Sequence, residues 1–356
     1  MLIKSEIYSR CVEIIDWLIV LGSGNEAQLA LPTELDFTHI VEKRSLFMAQ
    51  KVMSLQNRKN QKRRFIFLFL LPTLICFFLF YFYSVVTIFL TSFAKWDYTN
   101  LNTPEFLGFD KLFENYRYVF KEYPFFTEAL INSVRWAVIG VIIQVPLALS
   151  VAITLSKKLK GWKISRNLYI VPSIISSAAM GLIFLQIYNP NYGVVNQVIH
   201  LFNPSFKDSV LLTPGLNIAA MTGAYIFFAG ASTIMILGQI FAIPEEVQEA
   251  AILDNITGWR KEWYITIPMI KGTIKTVSIM AATSGFLLYN EVFFLTNGAA
   301  GTKSISFVIR ELAVASSRTQ YARANTIGVI QILGGMLIIV CINILFRERK
   351  RLKGGK

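Results

Sequence analysis

The chain has 356 residues, of which 54% are hydrophobic and only 16% charged, and its mean hydropathy is +0.50. One core could not hide that much apolar surface from water, which excludes an ordinary soluble globule and points to lipid as the solvent. The net charge of +13 does not indicate nucleic acid, because the basic residues cluster beside apolar segments, as at the inner face of a membrane.

Residues 1–57 are mixed in charge, and their one apolar run, Val12–Leu21, is too short to cross a bilayer and contains Glu13 and Asp16. They read as an N-terminal cytoplasmic extension or as an over-called start, with Met48 or Met53 as the real one. From Arg58 the pattern changes. Arg58, Lys59, Lys62, Arg63 and Arg64 precede an apolar run from Phe65 to about Phe93. Further runs lie near Ile131–Leu155, Leu168–Tyr188, Leu216–Ala242, Thr273–Thr296 and Thr326–Phe346. Each is long enough to cross about 30 Å of hydrocarbon as a helix at 1.5 Å per residue, so six spans are expected.

Loop charge gives the orientation. The stretch before the first span, the loop with Lys157, Lys158, Lys160, Lys163 and Arg166, and the tail after Phe346 are all basic, so both termini are expected in the cytoplasm. The first outer loop, Ala94–Leu130, has six acids against four bases and agrees. The last outer loop agrees less well, with Lys303, Arg310, Arg318 and Arg323 against Glu311. Trp96, Tyr98 and Trp136 sit where interfacial aromatic belts are expected. The loop from Asn189-Pro190-Asn191-Tyr192-Gly193 to Pro214-Gly215 reads as turns at the outer surface.

Between the fourth and fifth runs lies Ile243-Pro244-Glu245-Glu246-Val247-Gln248-Glu249-Ala250-Ala251-Ile252-Leu253-Asp254-Asn255, then Gly258-Trp259-Arg260 and Ile265-Thr266-Ile267-Pro268. Pro244 suits a first helical position, and Glu245 and Glu246 suit the positive end of the helix dipole. Val247, Ala250, Ala251 and Asp254 share one face, and its two small side chains would let another protein approach closely. Asn255 tolerates the left-handed conformation that ends a helix. Trp259, Trp263 and Ile267 fall on one side of a second short stretch, and Pro268 starts the next span. The spacing predicts a helix–turn–helix lying on the cytoplasmic membrane face and offered to a partner.

This segment resembles the signature of ABC importer permeases: Glu-Ala-Ala, three residues, Gly, nine residues, Ile-x-Leu-Pro. Glu249-Ala250-Ala251, Ile265 and Pro268 fall in register, while Asn255 stands in place of the Gly and Ile267 in place of the Leu. The resemblance makes residues 243–268 a coupling segment that sits in a cleft of an ATPase subunit, with Glu249, Ala250, Ala251, Asp254, Asn255 and Pro268 as coupling residues. It runs over roughly residues 60–350 and is closest to sugar permeases of the maltose and glycerol-3-phosphate type. Supporting stretches are Leu107-Gly108-Phe109, Phe113-Glu114-Asn115-Tyr116, Asn132-Ser133, Leu295-Thr296-Asn297-Gly298 and Tyr321-Ala322-Arg323-Ala324.

The implied protein is an all-α membrane protein of the bacterial inner membrane. It has six transmembrane helices over 58–350, a coupling helix between the fourth and fifth, and a basic cytoplasmic tail at 351–356. Its implied partners are a second homologous permease, a cytoplasmic ABC ATPase dimer that carries the ATP and Mg, and an extracellular solute-binding protein. The implied cargo is a mono- or oligosaccharide or a polyol phosphate.

A polar cargo needs polar groups facing a cavity. The candidates for the solute path are Gln186, Thr233, Ser284, Tyr289, Asn290 and Glu291, with Asn132, Gln144, Thr222 and Ser232 also in the spans. Tyr289 and Asn290 offer an aromatic face with an amide, which suits a sugar ring. Glu291 is expected near the outer leaflet, either on the path or as an interfacial acid that reaches water.

No Gly-x-x-x-x-Gly-Lys-Ser/Thr, His-Glu-x-x-His or Gly-x-Ser-x-Gly element occurs, so no catalytic residue is expected and ATP hydrolysis falls to a partner. His39 and His200 show no ligand spacing, and neither a metal nor a cofactor is expected on this chain. Two other readings stand beside the importer of sugars: a permease for a different polar solute, and an ion-driven secondary transporter, which would need buried acids or repeated broken helices in mid-span.

Overall fold

A computed structural model of the chain describes residues 61–347, apart from 205, 207, 208, 227, 228, 316 and 317. The expected extension 1–57 and tail 351–356 lie outside the described residues. The chain divides into two units, Met1–Phe78 and Leu79–Lys356. In the first, the described residues are helical, and Phe65, Phe67, Phe69 and their apolar neighbours are exposed.

In chain order, α1 (Gln61–Thr91) is followed by an antiparallel ribbon of β1 (Ala94–Lys95) and β2 (Glu105–Phe106), with Ala94 opposite Phe106. α2 (Phe126–Ser156) contains a π turn at Gly140–Gln144. α3 (Trp162–Ile174) and α4 (Ser177–Ile187) meet at 101°. After α5 (Val194–Phe202) come α6 (Leu216–Ile226) and α7 (Gly230–Phe241), which meet at 45°. Then follow α8 (Glu245–Leu253), α9 (Lys271–Phe286), α10 (Ile305–Arg310) and α11 (Tyr321–Leu345). Among the described residues, α1, α2 and α11 are each long and apolar enough to cross a membrane, and the number rises to five if each bent pair is one crossing.

Three of the expected spans are therefore not continuous helices: the run over Leu216–Ala242 is the bent pair α6–α7, and two others break outright. In the run expected over Leu168–Tyr188, Pro172 has no N–H to give to the preceding turn. Ile175 and Ser176 become extended, and Ser176 Oγ accepts the Ala179 N–H at 3.3 Å to open α4. The run expected over Thr273–Thr296 stops at Phe286 and resumes as a π turn at Val292–Thr296. Unpaired carbonyls at such a break would be costly in lipid. Here Ser306 Oγ donates to Leu287 O at 3.1 Å and Ser304 Oγ donates to Leu288 O at 2.6 Å. Tyr289, Asn290 and Glu291 consequently sit in a break held open by side chains of the next loop.

α9 packs on α2 with almost no space between the backbones. A Cβ added at Gly285 would lie 2.3 Å from Trp136 O, and one at Gly140 would lie 2.6 Å from Ala281 O. Small residues at both crossings are what allow this approach.

The segments expected outside are tied down by residues that stood out in the sequence. Gly108 has a φ of 79°, which favours glycine. Asn115 Nδ2 donates to Ser92 O at 2.8 Å and to Ala94 O at 2.9 Å. Asn132 Nδ2 donates to Gly301 O and Lys303 O, and Ser133 Oγ accepts the Ile305 N–H at 3.0 Å. Three basic residues of the last loop expected outside have local partners. Lys303 pairs with Glu311 at 2.7 Å and lies over Phe125, Arg310 lies over Phe293, and Arg323 lies over Tyr118. Such contacts lower the cost of positive charge on this side.

Candidate functional site

α8 closes as the sequence suggests but opens one residue later, because Pro244 lies outside the first turn rather than in it. Pro244 is the N-cap, with ψ of 144°, and Glu245 and Glu246 occupy the first turn. At the other end Asn255 has a φ of 56°. Asn255 N–H donates to Ile252 O at 3.0 Å and Ile256 N–H donates to Ala251 O at 2.8 Å. These two bonds with a left-handed residue at C′ form a Schellman motif. Asn supplies here the backbone geometry for which glycine is the usual choice.

The face assignment differs from expectation. Ala251 is only 2% exposed, and Val247 packs against the cluster of Ile236, Ile240, Ile243 and Ile270. Glu249, Ala250, Leu253, Asp254 and Asn255 are exposed. The expected group of Val247, Ala250, Ala251 and Asp254 is thus split, because a helix anchored on the protein body must spend one stripe on that body. Leu253 is 87% exposed and was not among the expected residues. Its signal was an apolar side chain at the wrong offset from Val247 and Ala251.

The second stretch also departs from its pattern. Trp259 and Trp263 are 66% and 63% exposed, whereas Ile267 packs inward on the Val247 cluster. A π turn at Glu262–Thr266 inserts a residue into the repeat and rotates Ile267 away from the tryptophans. Pro268 is exposed in the short helical turn Ile267–Met269, and α9 starts three residues later, at Lys271. Between α8 and the turn after α2 lies a cavity of about 460 Å³ whose charged lining includes Lys157, Lys158, Glu245, Glu249 and Lys261.

A second cavity, of about 350 Å³, lies at the break after α9. It gathers Ser284, Tyr289, Asn290 and Glu291, together with Gln144 and Ser232. The π turn in α2 ends at Gln144, and Tyr289 stacks on Phe293 at 5.6 Å. Asn290 Nδ2 donates to Ser177 Oγ at 2.7 Å, which joins the break to the start of α4. Tyr225 also lines this cavity, with its hydroxyl donating to Ala281 O at 2.9 Å and sharing a hydrogen bond with Ser284 Oγ. It was missed, although a tyrosine amid the Ala-rich run of α6 must find a partner for its hydroxyl.

Other expected path residues lie elsewhere. Gln186 accepts from the Tyr192 hydroxyl on the exposed end of α4. Thr233 is buried and returns its hydroxyl to Ala229 O, as Thr222 does to Ile218 O. Asn132 is used up on the carbonyls of the outer loop.

The chain can now be set beside known proteins. No protein-family model matches it. It is 28% identical over 306 residues to a probable ABC transporter permease protein, YurN, of Bacillus subtilis, covering 83% of this chain and 99% of that protein. The chain is a homologue of ABC transporter permeases. The multiple sugar-binding transport system permease protein MsmF of Streptococcus mutans is 25% identical over 189 residues, which cover 52% of this chain and 64% of that one. Among solved structures, a bacterial ABC transporter involved in the import of the acidic polysaccharide alginate superposes with a TM-score of 0.69 at 19% identity. That match covers 82% of this chain and 98% of the other, and it shows a shared fold. These permease relatives are membrane proteins and transporter components rather than enzymes.

Proposed function

We propose that this chain is the permease subunit of an ATP-driven ABC importer, forming half of the path for a mono- or oligosaccharide or a polyol phosphate. In this reading the six crossings are α1, α2, the bent pairs α3–α4 and α6–α7, α9 with the break and turn that follow it, and α11. That count puts α8 and both termini in the cytoplasm. Glu249, Ala250, Asp254 and Asn255, with Leu253 beside them, meet an ATPase that carries the ATP and Mg. Ala251 and Pro268 act from behind by seating α8 and the turn before α9. Ser284, Tyr289, Asn290 and Glu291 line the solute path, whereas Gln186 and Thr233 shape the helices around it. A second homologous permease completes the path, and an outer solute-binding protein delivers the cargo.

The observation that carries this reading is α8: a short helix seated on the body by Val247 and Ala251, closed by Asn255, and presenting Glu249 and Leu253 outward. Glu249→Lys is expected to abolish uptake and ATPase association while the protein remains inserted. Normal uptake in that variant would sink the coupling role. The cavity acid and the three interrupted spans also suit an ion-driven transporter. Uptake that persists without ATP and follows an ion gradient would favour that alternative.

A further inference from the structure

The cavity at the α9 break is unbalanced in charge. Its ionisable side chains are Tyr225, Tyr289 and Glu291, with no Lys, Arg or His among the residues lining it. Glu291 makes no ion pair with a described residue. Arg310 is held 4.4 Å from the centroid of the Phe293 ring and does not line the cavity.

Its hydrogen-bonding groups are mixed. Gln144 is 4% exposed, and its Oε1 is buried without a partner among the described residues. Asn290 commits one of its two amide hydrogens to Ser177 and keeps its carbonyl oxygen to offer. The two hydroxyl hydrogens of Tyr225 and Ser284 are committed among their mutual bond and Ala281 O. An ionised Glu291 adds two further acceptor oxygens and no donor. Ser232, Tyr289, the second Asn290 hydrogen and the Gln144 amide remain as donors, so the walls carry acceptors and donors together but negative charge alone.

Building on the solute path proposed above, we infer that this cavity selects by charge, accepting neutral or amine-bearing saccharides and rejecting phosphorylated or uronate ones. Sugar hydroxyls and ammonium groups give hydrogen to Gln144 Oε1 and Glu291. A phosphate or carboxylate would place a like charge beside Glu291, which is strongly unfavourable where water is scarce. Glu291 is the specificity determinant, and Gln144 positions the donor. A polyol phosphate is thus removed from the range of cargoes.

The charge measurement needs no knowledge of the cargo. In full-length chain within membranes carrying the whole importer, Cys11, Cys76 and Cys341 are replaced by alanine and Ser284 by cysteine. The rates of reaction with a cationic methanethiosulfonate (ethyltrimethylammonium) and an anionic one (ethylsulfonate) are then measured, each normalised to the same reagent on a small free thiol. The cationic reagent should be favoured by at least about 10-fold, the least expected of a unit charge acting at close range in a weakly hydrated cavity. Adding Glu291→Gln should collapse that ratio to within about 3-fold of unity. A ratio near one with Glu291 present, an unchanged ratio in Glu291→Gln, or no reaction with either reagent would each overturn the inference. If the charge ratio behaves as expected but the modified Ser284→Cys protein still takes up its cargo normally, the solute path fails and the charge measurement stands.

Discussion

Replacing Asn255 should loosen the end of α8 in proportion to the strain its backbone carries. Its φ of 56° lies in the left-handed region, where an ordinary side chain costs about 1–2 kcal/mol, glycine costs nothing and asparagine is tolerated. That strain is set against two hydrogen bonds, from Asn255 N–H to Ile252 O at 3.0 Å and from Ile256 N–H to Ala251 O at 2.8 Å. Asn255→Ala should shift the opening of this turn by about 1–2 kcal/mol, or roughly 5- to 30-fold in exchange rate. Asn255→Gly should hold the turn at least as well as the native residue. Hydrogen–deuterium exchange on a peptide covering 245–268, in the full chain in nanodiscs, reads both variants. Equal exchange in the alanine and glycine variants would refute the argument that a left-handed residue closes this helix.

Two further expectations concern the packing that creates the cavity. Gly285→Val places a side chain where a Cβ alone would already lie 2.3 Å from Trp136 O, so α9 must move off α2. It should destabilise the protein by about 1–3 kcal/mol or more, seen as a lower unfolding temperature in detergent; an unchanged temperature would contradict the close crossing. Ser304→Ala leaves the Leu288 carbonyl without its 2.6 Å donor and should cost about 1–3 kcal/mol. Because the same bond holds the break open, solute uptake should fall with it, and a variant with native stability and native uptake would count against that role.

The closing end of α8 could be read from the sequence because it depends on Asn255's tolerance of the left-handed region. The fixed φ of Pro244 located the opening only to within a residue: it is the N-cap, not the first helical position. Which face α8 buries could not be read, since that depends on α7 and α9, and helical spacing alone placed Ala251 beside Ala250 when only one of them is exposed. Hydropathy located the apolar runs but not their breaks. The break after α9 rests on Ser304 and Ser306, residues beyond the run itself, and no window over Thr273–Thr296 contains them. Of the expected path residues, Ser284, Tyr289, Asn290 and Glu291 lie together because they are near neighbours in sequence. Gln186 and Thr233 are not with them, since polarity within a span does not say where a side chain points. Asn132 shows the same limit from the other direction, a polar residue in a span whose work is to hold a loop.

Ala251 has a mechanical consequence. At 2% exposure it closes the inner stripe of α8 beside Val247, which packs on Ile236, Ile240 and Ile270, while the cavity of about 460 Å³ lies along the Glu245–Glu249 side. Protein interiors are dense and barely compressible, so a load carried through that stripe cannot be absorbed by local give. In the coupling role proposed above, α7 and the start of α9 turn with α8 through this closed stripe, and arm length rather than softness in the joint sets the stroke at the α9 break.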